Sequence, residues 1–430
     1  MSRAAATAPL DLARRAVAGA SGESEGEVLV SVTRMRSSRS DRPEILERQR
    51  VEVLAVRDGR VGFARAHRAD ADTLDELVQA AQANARAAHE VEAYPGLQAP
   101  EPVRAHDGYD LATAALPRAE LTAMAKRATE TPGTGAGVIV GAAERRVGLA
   151  STRGHELVDA ATVAMAFAGP SGAWAVGYAA ALAGLDPVET GRRGSERAGR
   201  LSQPSAELEP GVHPVVLEPE ALAALLRFAG VRVFSARSPV LDGRLGTRVA
   251  APAINLSDSP RFPATLPRAF DAEGVPKEPV PLIQDGVAHR LVHDIRSAAA
   301  AGGRSTGHAR APGGTRRPAP AHLVLVGGGA ADVEALVAPV ERGVLLLGLP
   351  RPETLDPATA TLGATISGGA LLIEHGRIAG PLERLRIEMP VLDLLASTEA
   401  LTSRPRLVYD GATAVVCPAL RAARLRVVRA

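Results

Sequence analysis

Pro210-Gly-Val-His-Pro-Val-Val-Leu-Glu-Pro219 is where the fold of this 430-residue chain becomes readable. Val215 to Leu217 is a short, wholly apolar run, the pattern of a strand buried on both faces. Leu222, Leu225 and Leu226 follow it at helical spacing. Further on, short apolar runs recur between Gly and Pro, as in Leu323 to Val326, Val344 to Leu347, Ala370 to Glu374 and Leu425 to Val428. Strands and turns at this density predict an antiparallel, β-rich C-terminal domain over 210–430, with a few helices. No repeat period points to a solenoid or propeller.

Working back from Pro210, the pattern changes twice. The first segment reads as a helix around Leu10 to Val17, a strand from Val28 to Thr33, and a hairpin. The hairpin runs from Ile45 to Val56, turns at Asp58-Gly59 and returns through Val61 to Ala64. Leu74, Leu77, Val78, Ala81 and Ala85 then keep helical spacing, with Thr73 placed to cap. Pro95, Pro100 and Pro102 form a stiff linker that would close an N-terminal α+β domain over 1–104. A middle domain over 105–209 follows, with a helix from about Pro117 to Thr131. Its strands are predicted at Val138 to Val140, Val147 to Leu149 and Glu156 to Phe167. Ala173 to Ala183 fits a strand or a mixed element, and the polar stretch Arg192 to Pro210 reads as the second boundary. The fold class is therefore α+β.

Composition removes several functions. Lys126 and Lys277 are the only lysines, the formal net charge is +2, and aromatics make up 3%. No basic run is interleaved with stacking aromatics, so nucleic acid is not an expected partner. Cys417 is the only cysteine, which excludes an intrachain disulfide and a thiolate zinc cluster. No apolar run approaches the roughly 20 residues that span a bilayer, and the first residues do not resemble a signal peptide. A cytoplasmic protein without a membrane partner is the expectation.

Several motifs offer chemistry, each beside a plainer reading. His289 and His293 stand i, i+4 within Gly286-Val-Ala-His-Arg-Leu-Val-His-Asp, but that segment alternates like a strand. On a strand the pair would be roughly 13 Å apart, too far to share a metal. His155-Glu156 opens like a zinc-protease motif and has no second histidine. Val326-Gly-Gly-Gly-Ala-Ala-Asp reads as a strand-to-helix turn, lacking the third glycine of a dinucleotide fingerprint. In Gly302-Gly-Arg-Ser-Thr-Gly-His-Ala-Arg, the residues Arg304, Ser305, Thr306, Gly307 and His308 could contact a ligand or form a solvated loop. Asp271 and Glu273 precede a tight turn, where they could serve acid/base chemistry or cap the turn. Cys417, before Pro418 in an apolar stretch, reads as a buried thiol.

Phrases in fixed order add a family resemblance. They are Gly59-Arg-Val-Gly-Phe-Ala, Ser151-Thr-Arg-Gly-His-Glu, the Pro210 stretch, Asp242-Gly-Arg-Leu-Gly and Phe270-Asp-Ala-Glu-Gly-Val-Pro. Leu282-Ile-Gln-Asp-Gly-Val, Ser297-Ala and Ser305-Thr-Gly-His-Ala complete the set. Together they resemble the TldD/PmbA family, also called modulators of DNA gyrase. The resemblance implies an α/β N-terminal domain, a middle domain and a β-rich C-terminal domain. In the family's catalytic branch, the helix after the Val-Val-Leu strand carries a His-Glu-x-x-x-His motif, and a distant cysteine completes a zinc site. The matching stretch here, Leu217 to Ser238, has no histidine. The resemblance is thus to the PmbA (TldE-like) branch, which implies no metal and no catalytic residue in this chain. It also implies zinc in a TldD-type partner subunit, with a peptide as substrate of the heterodimer. Arg304 to His308, Asp271 and Glu273 are then expected to line the peptide chamber or the subunit contact. The rival readings are a non-enzymatic peptide-binding regulator and a self-sufficient metallopeptidase using His213, His289 or His308.

Overall fold

The alternation between Val28 and Thr33 continues well beyond those residues, and strands of matching length pair along it. The computed structural model describes residues 3–20, 26–68, 70–89, 94–236 and 238–429. Its first part contains α1 (Arg3–Ala20), β1 (Glu27–Arg39), β2 (Leu46–Arg57), β3 (Arg60–Ala66) and α2 (Ala71–Ala87). Asp58 (φ 49°) and Gly59 (φ 75°) make the β2–β3 turn, as positive φ at both positions requires. The cap of α2 is Asp70 and not Thr73: the Asp70 carboxylate accepts both the amide and the hydroxyl of Thr73. An ionised acceptor three residues upstream satisfies the first-turn amide directly.

Next come α3 (Leu111–Ala114), α4 (Arg118–Glu130), β4 (Val138–Ser151), β5 (Glu156–Ala168), β6 (Ala175–Ala179) and α5 (Pro187–Leu201). All six strands form one sheet in the order β3-β2-β1-β4-β5-β6. β1 pairs with β4 from Leu29↔Ser151 to Arg39↔Gly141, so the segment around Pro95 to Pro102 joins two halves of a single sheet. The two strands expected around Val140 and Val147 are one, because the charges between them find partners: Arg145 with Asp159, and Arg146 with Glu144. The boundary expected at Arg192 to Pro210 begins inside α5. Asp186 accepts the Glu189 amide and Pro187 opens the helix. Its buried residues are Thr190, Gly191, Gly194 and Arg197, which leave no apolar period to detect. Helices α1 and α2 cover one face of the sheet through Leu10, Ala13, Leu74, Val78 and Ala81.

The C-terminal part starts with β7 (Gly211–Leu217) and α6 (Pro219–Arg232), then β8 (Leu256–Asp258), β9 (Val280–Gln284), β10 (Val287–Ala288) and α7 (Ile295–Ala300). It continues with β11 (His322–Leu325), α8 (Val333–Val337), β12 (Arg342–Leu346), β13 (Glu353–Asp356), β14 (Thr361–Ser367), β15 (Ala370–Glu374) and β16 (Arg377–Pro381). The last elements are β17 (Arg384–Pro390), α9 (Val391–Ala396), β18 (Thr398–Leu401), β19 (Arg406–Tyr409), β20 (Ala414–Cys417) and β21 (Leu420–Val428). One sheet runs β10-β9-β8-β11-β20-β19; the other runs β13-β14-β17-β21-β7-β12-β15-β16, with β18 on β21. Pairing is antiparallel except at β7–β12 and β11–β20. Val215 to Leu217 lie on a central strand between β12 and β21, which explains the unbroken apolar run. Leu222, Leu225 and Leu226 of α6 share a core with Val215 and Leu346 of one sheet and Leu256, Leu323 and Val415 of the other.

Candidate functional site: an arginine-lined cavity between the sheets

Strand alternation decides what each face of the N-terminal sheet presents. In β2, Val51 and Val53 join the core under α1 and α2. Residues of the other parity face the C-terminal part, where Leu54 packs with Leu29, Leu149, Phe270, Val275 and Ile295. Along this second face the register sets Ser31 beside Glu52, Thr33 beside Arg50, and Met35 beside both Arg48 and Arg145. The apolar contact therefore gives way to polar and charged rows, and a cavity of about 1000 Å³ opens there. Its lining includes Arg48, Arg50 and Arg145 from the sheet, and Lys277, His308, Arg310 and Arg316 from the C-terminal part. A smaller recess of about 290 Å³ shares Met35, Arg48, Arg145 and Arg268 with it.

A buried polar network underlies the cavity. Asp271 accepts the amides of Glu273 (2.9 Å), Val275 (3.0 Å) and Ala309 (2.8 Å). Glu273 accepts the Tyr94 hydroxyl (3.1 Å) and the Ile295 amide (2.9 Å). The Lys277 ammonium donates to the Gly307 carbonyl (2.7 Å). His308 donates from Nδ1 to the Thr306 carbonyl (2.7 Å). Asp258 lies between His308 Nε2 (3.4 Å) and His322 Nδ1 (3.5 Å), and it also accepts the His322 amide (3.0 Å).

Burial and charge set the protonation of this network. Burial alone would raise Asp258, but Lys277 and then His308 and His322 hold it well below the usual carboxylate range. Burial pushes His322 down to about 4, so its imidazole is neutral. Burial pushes Asp271 up to about 6. It pushes Glu273 up to about 8, with the charge of Asp271 adding to the effect. The two carboxyls next to the cavity thus titrate near neutrality.

The structure gathers some of the sequence candidates and separates others. Asp271 and His308 line the cavity, and Glu273 lies directly behind Asp271. The 305–308 segment is an ordered floor: Thr306 Oγ accepts the His293 amide (2.7 Å), Ser305 Oγ donates to the His293 carbonyl (3.2 Å), and Gly307 takes φ 73°. A Cβ at Gly307 would lie 2.4 Å from the Pro276 carbonyl, which requires glycine. Arg304 points away, exposed and paired with Glu101. His289 is exposed at the end of β10, and His213 contacts the Glu209 carbonyl at 2.8 Å. His155 is buried against Ser151 Oγ (2.7 Å) at a turn between β4 and β5. Asp258, Lys277 and His322 were not singled out in the sequence, since each sits in an otherwise ordinary strand or loop. The available signal was in β2, where Arg48, Arg50 and Glu52 alternate with Val51 and Val53.

The start of α6 is where the family resemblance would put zinc ligands. Glu218 contacts Arg197 and lies 3.4 Å from Arg406. Glu220 pairs with Arg197 (2.8 Å) and Arg193 (3.1 Å). Burial would raise Glu220, but Arg197, then Arg406 and Arg193, hold it well below the usual carboxylate range. Cys417 donates to the Pro219 carbonyl (3.4 Å), and burial, then the charge of Glu220, push its thiol up to about 12. Two carboxylates committed to guanidinium groups, a protonated thiol and no imidazole do not fit a catalytic zinc. Among the described residues, no group of three or more His, Cys, Asp or Glu side chains is placed to hold a metal ion.

Three comparisons place this architecture among known proteins. A solved TldE from Thermococcus kodakarensis superposes with a TM-score of 0.80 at 20% identity, covering 97% of this chain and 99% of that one. A Thermotoga maritima protein described as a modulator of DNA gyrase gives 0.75 at 23% identity, covering 97% and 99%. One from Bacteroides thetaiotaomicron with the same description gives 0.76 at 19% identity, covering 97% and 98%. In sequence, a metalloprotease of Methanothermobacter thermautotrophicus is 26% identical over 227 residues, which is 52% of this chain and 49% of that relative. The match thus spans about half the length of that curated relative. Residues 210–429 fit the family model described as the PmbA/TldA metallopeptidase C-terminal domain. Because that match, residues 210–429, takes in more than half of the chain, the chain belongs to the TldD/PmbA family of metallopeptidase-related proteins.

Proposed function

We propose that this chain is a TldE-like, non-catalytic subunit that works beside a TldD-type subunit in a heterodimeric zinc peptidase. The observation that carries the reading is the start of α6, where Arg197, Arg193 and Arg406 engage Glu218 and Glu220. In this reading the zinc and the water-activating glutamate belong to the partner. The present chain contributes a peptide-receiving cavity, floored by Asp271 and His308. The substrate is an unfolded or precursor peptide, and the complex is cytoplasmic. No helix among the described residues is long and apolar enough to cross a membrane, which is compatible with that location.

The test is peptide hydrolysis by the purified chain alone, and mixed with a TldD-type subunit of the same genome, with zinc measured in each. Hydrolysis and zinc that arise only with the partner are expected. Chelator-sensitive hydrolysis by this chain alone would overturn the reading in favour of a self-sufficient enzyme. Peptide binding without turnover, even in the mixture, would favour a regulator.

A further inference from the structure

The cavity between the sheets has a charge imbalance that its own residues do not resolve. Among the described residues, no carboxylate lies within ion-pairing distance of Arg48, Arg50, Arg310 or Arg316, and all four line the space. The carboxylates in the lining are Glu47, Glu52 and Asp271, fewer than the cations there; Glu52 offsets part of the charge of Arg50 and Arg316. Glu47 lies 3.7 Å from Arg36, outside the cavity lining. Asp271 is taken up by three backbone amides. Lys277 adds a further cation on the floor, beside Asp258. Arg310 is held below its ordinary value by partial burial and by the neighbouring charge of Arg316, which the charge of Asp410 only partly offsets.

We infer that this cavity selects peptide segments carrying carboxylates, so that acidic peptides are the substrate class the subunit receives. The inference rests on the peptidase-subunit reading above and deepens it. At about 1000 Å³ the space is at the upper end of the roughly 300–1,000 Å³ typical of ligand pockets, enough for several residues of extended chain. Planar guanidinium groups match carboxylates in a bidentate fork. Ser31, Thr33 and Gln49 on the same wall offer hydrogen bonds to a backbone. A single-stranded nucleic acid would need a platform of stacking rings, and the lining offers only Phe270, buried in the apolar contact, and the imidazoles of His67 and His308.

The experiment uses the full chain, alone and with the catalytic partner. It measures fluorescence anisotropy of short labelled peptides that differ only in carrying Glu, Gln or Lys. The Glu peptide is expected to bind about tenfold or more tightly than its Gln counterpart, the equivalent of one good charge pair. That preference should shrink as salt is raised. The double variant Arg50→Gln/Arg310→Gln should erase it. Arg304→Gln, outside the cavity, should leave it unchanged, and thermal melts check that each variant is folded. Equal binding of Glu and Gln peptides, or no peptide binding in either setting, would overturn the inference. Partner-dependent hydrolysis would still stand in those cases, because it is read separately. A single-stranded oligonucleotide that outcompetes the Glu peptide would also overturn it and point to a different ligand.

Discussion

Glu273 accepts the Tyr94 hydroxyl and the Ile295 amide, and beyond burial it is the negative charges of Asp271 and Asp294 that raise it. Its folded value near 8 lies above an unfolded value near 4.5, so the folded state binds the extra proton between those limits. Its contribution to stability is therefore full below about pH 4.5 and is lost as pH rises towards 8. Glu273→Gln, which keeps the shape and removes the ionisation, is expected to flatten that dependence. At pH 9 the variant should exceed the parent by on the order of a few kcal/mol, and at pH 5 the two should converge. Urea melts at both pH values check this; a difference that is the same at both would reject it. At this scale the sequence revealed part of the site. Asp271, Glu273 and His308 stood out as polar groups around turns. Lys277, Asp258 and His322 did not, because the network exists only where β8, β11 and two loops converge.

Among the elements, the ones legible in sequence were those with an apolar period, such as α2, β1 and the β2–β3 hairpin. Among those that stayed hidden was α5, which packs with glycines: a Cβ on Gly194 would lie 2.6 Å from atoms of Ala168 in β5. The same close approach recurs where α1 crosses the sheet. A Cβ on Gly148 of β4 would lie 2.1 Å from the Leu10 nitrogen and 2.4 Å from the Pro9 carbonyl carbon. Those atoms are backbone, so α1 itself would have to lift. Gly148→Val is expected to cost about 3 kcal/mol and to expose α1 to protease. Denaturant melts with limited proteolysis measure both, and a variant as stable and as resistant as the parent would contradict the packing.

Over the whole molecule, composition and local pattern gave the α+β class and the β-rich C-terminal part. They placed a linker at Pro95 to Pro102 without revealing that β1 and β4, on either side of it, share a register of eleven residue pairs. Pairing across such a distance leaves no local mark, since each strand carries only its own alternation.

The position of β21 has a consequence for how the protein is made. β21 pairs with β7 from Leu420↔Leu217 to Val427↔Gly211, and with β17 and β18 on its other edge. The first strand of the C-terminal part must therefore wait for the last one before the larger sheet can close. The six-stranded sheet before Leu201 has no such dependence. At roughly 5–20 residues per second of translation, that wait is on the order of tens of seconds, with apolar strands uncovered on the ribosome. A nascent chain stalled before Leu420 should resist protease up to about β6 and be digested beyond it. Protection of both halves in that stalled chain would show that the sheet closes without β21. During that wait the C-terminal part is a natural client for a ribosome-associated chaperone, and the products of nonsense mutations even a few codons before Leu420 are expected to be degraded.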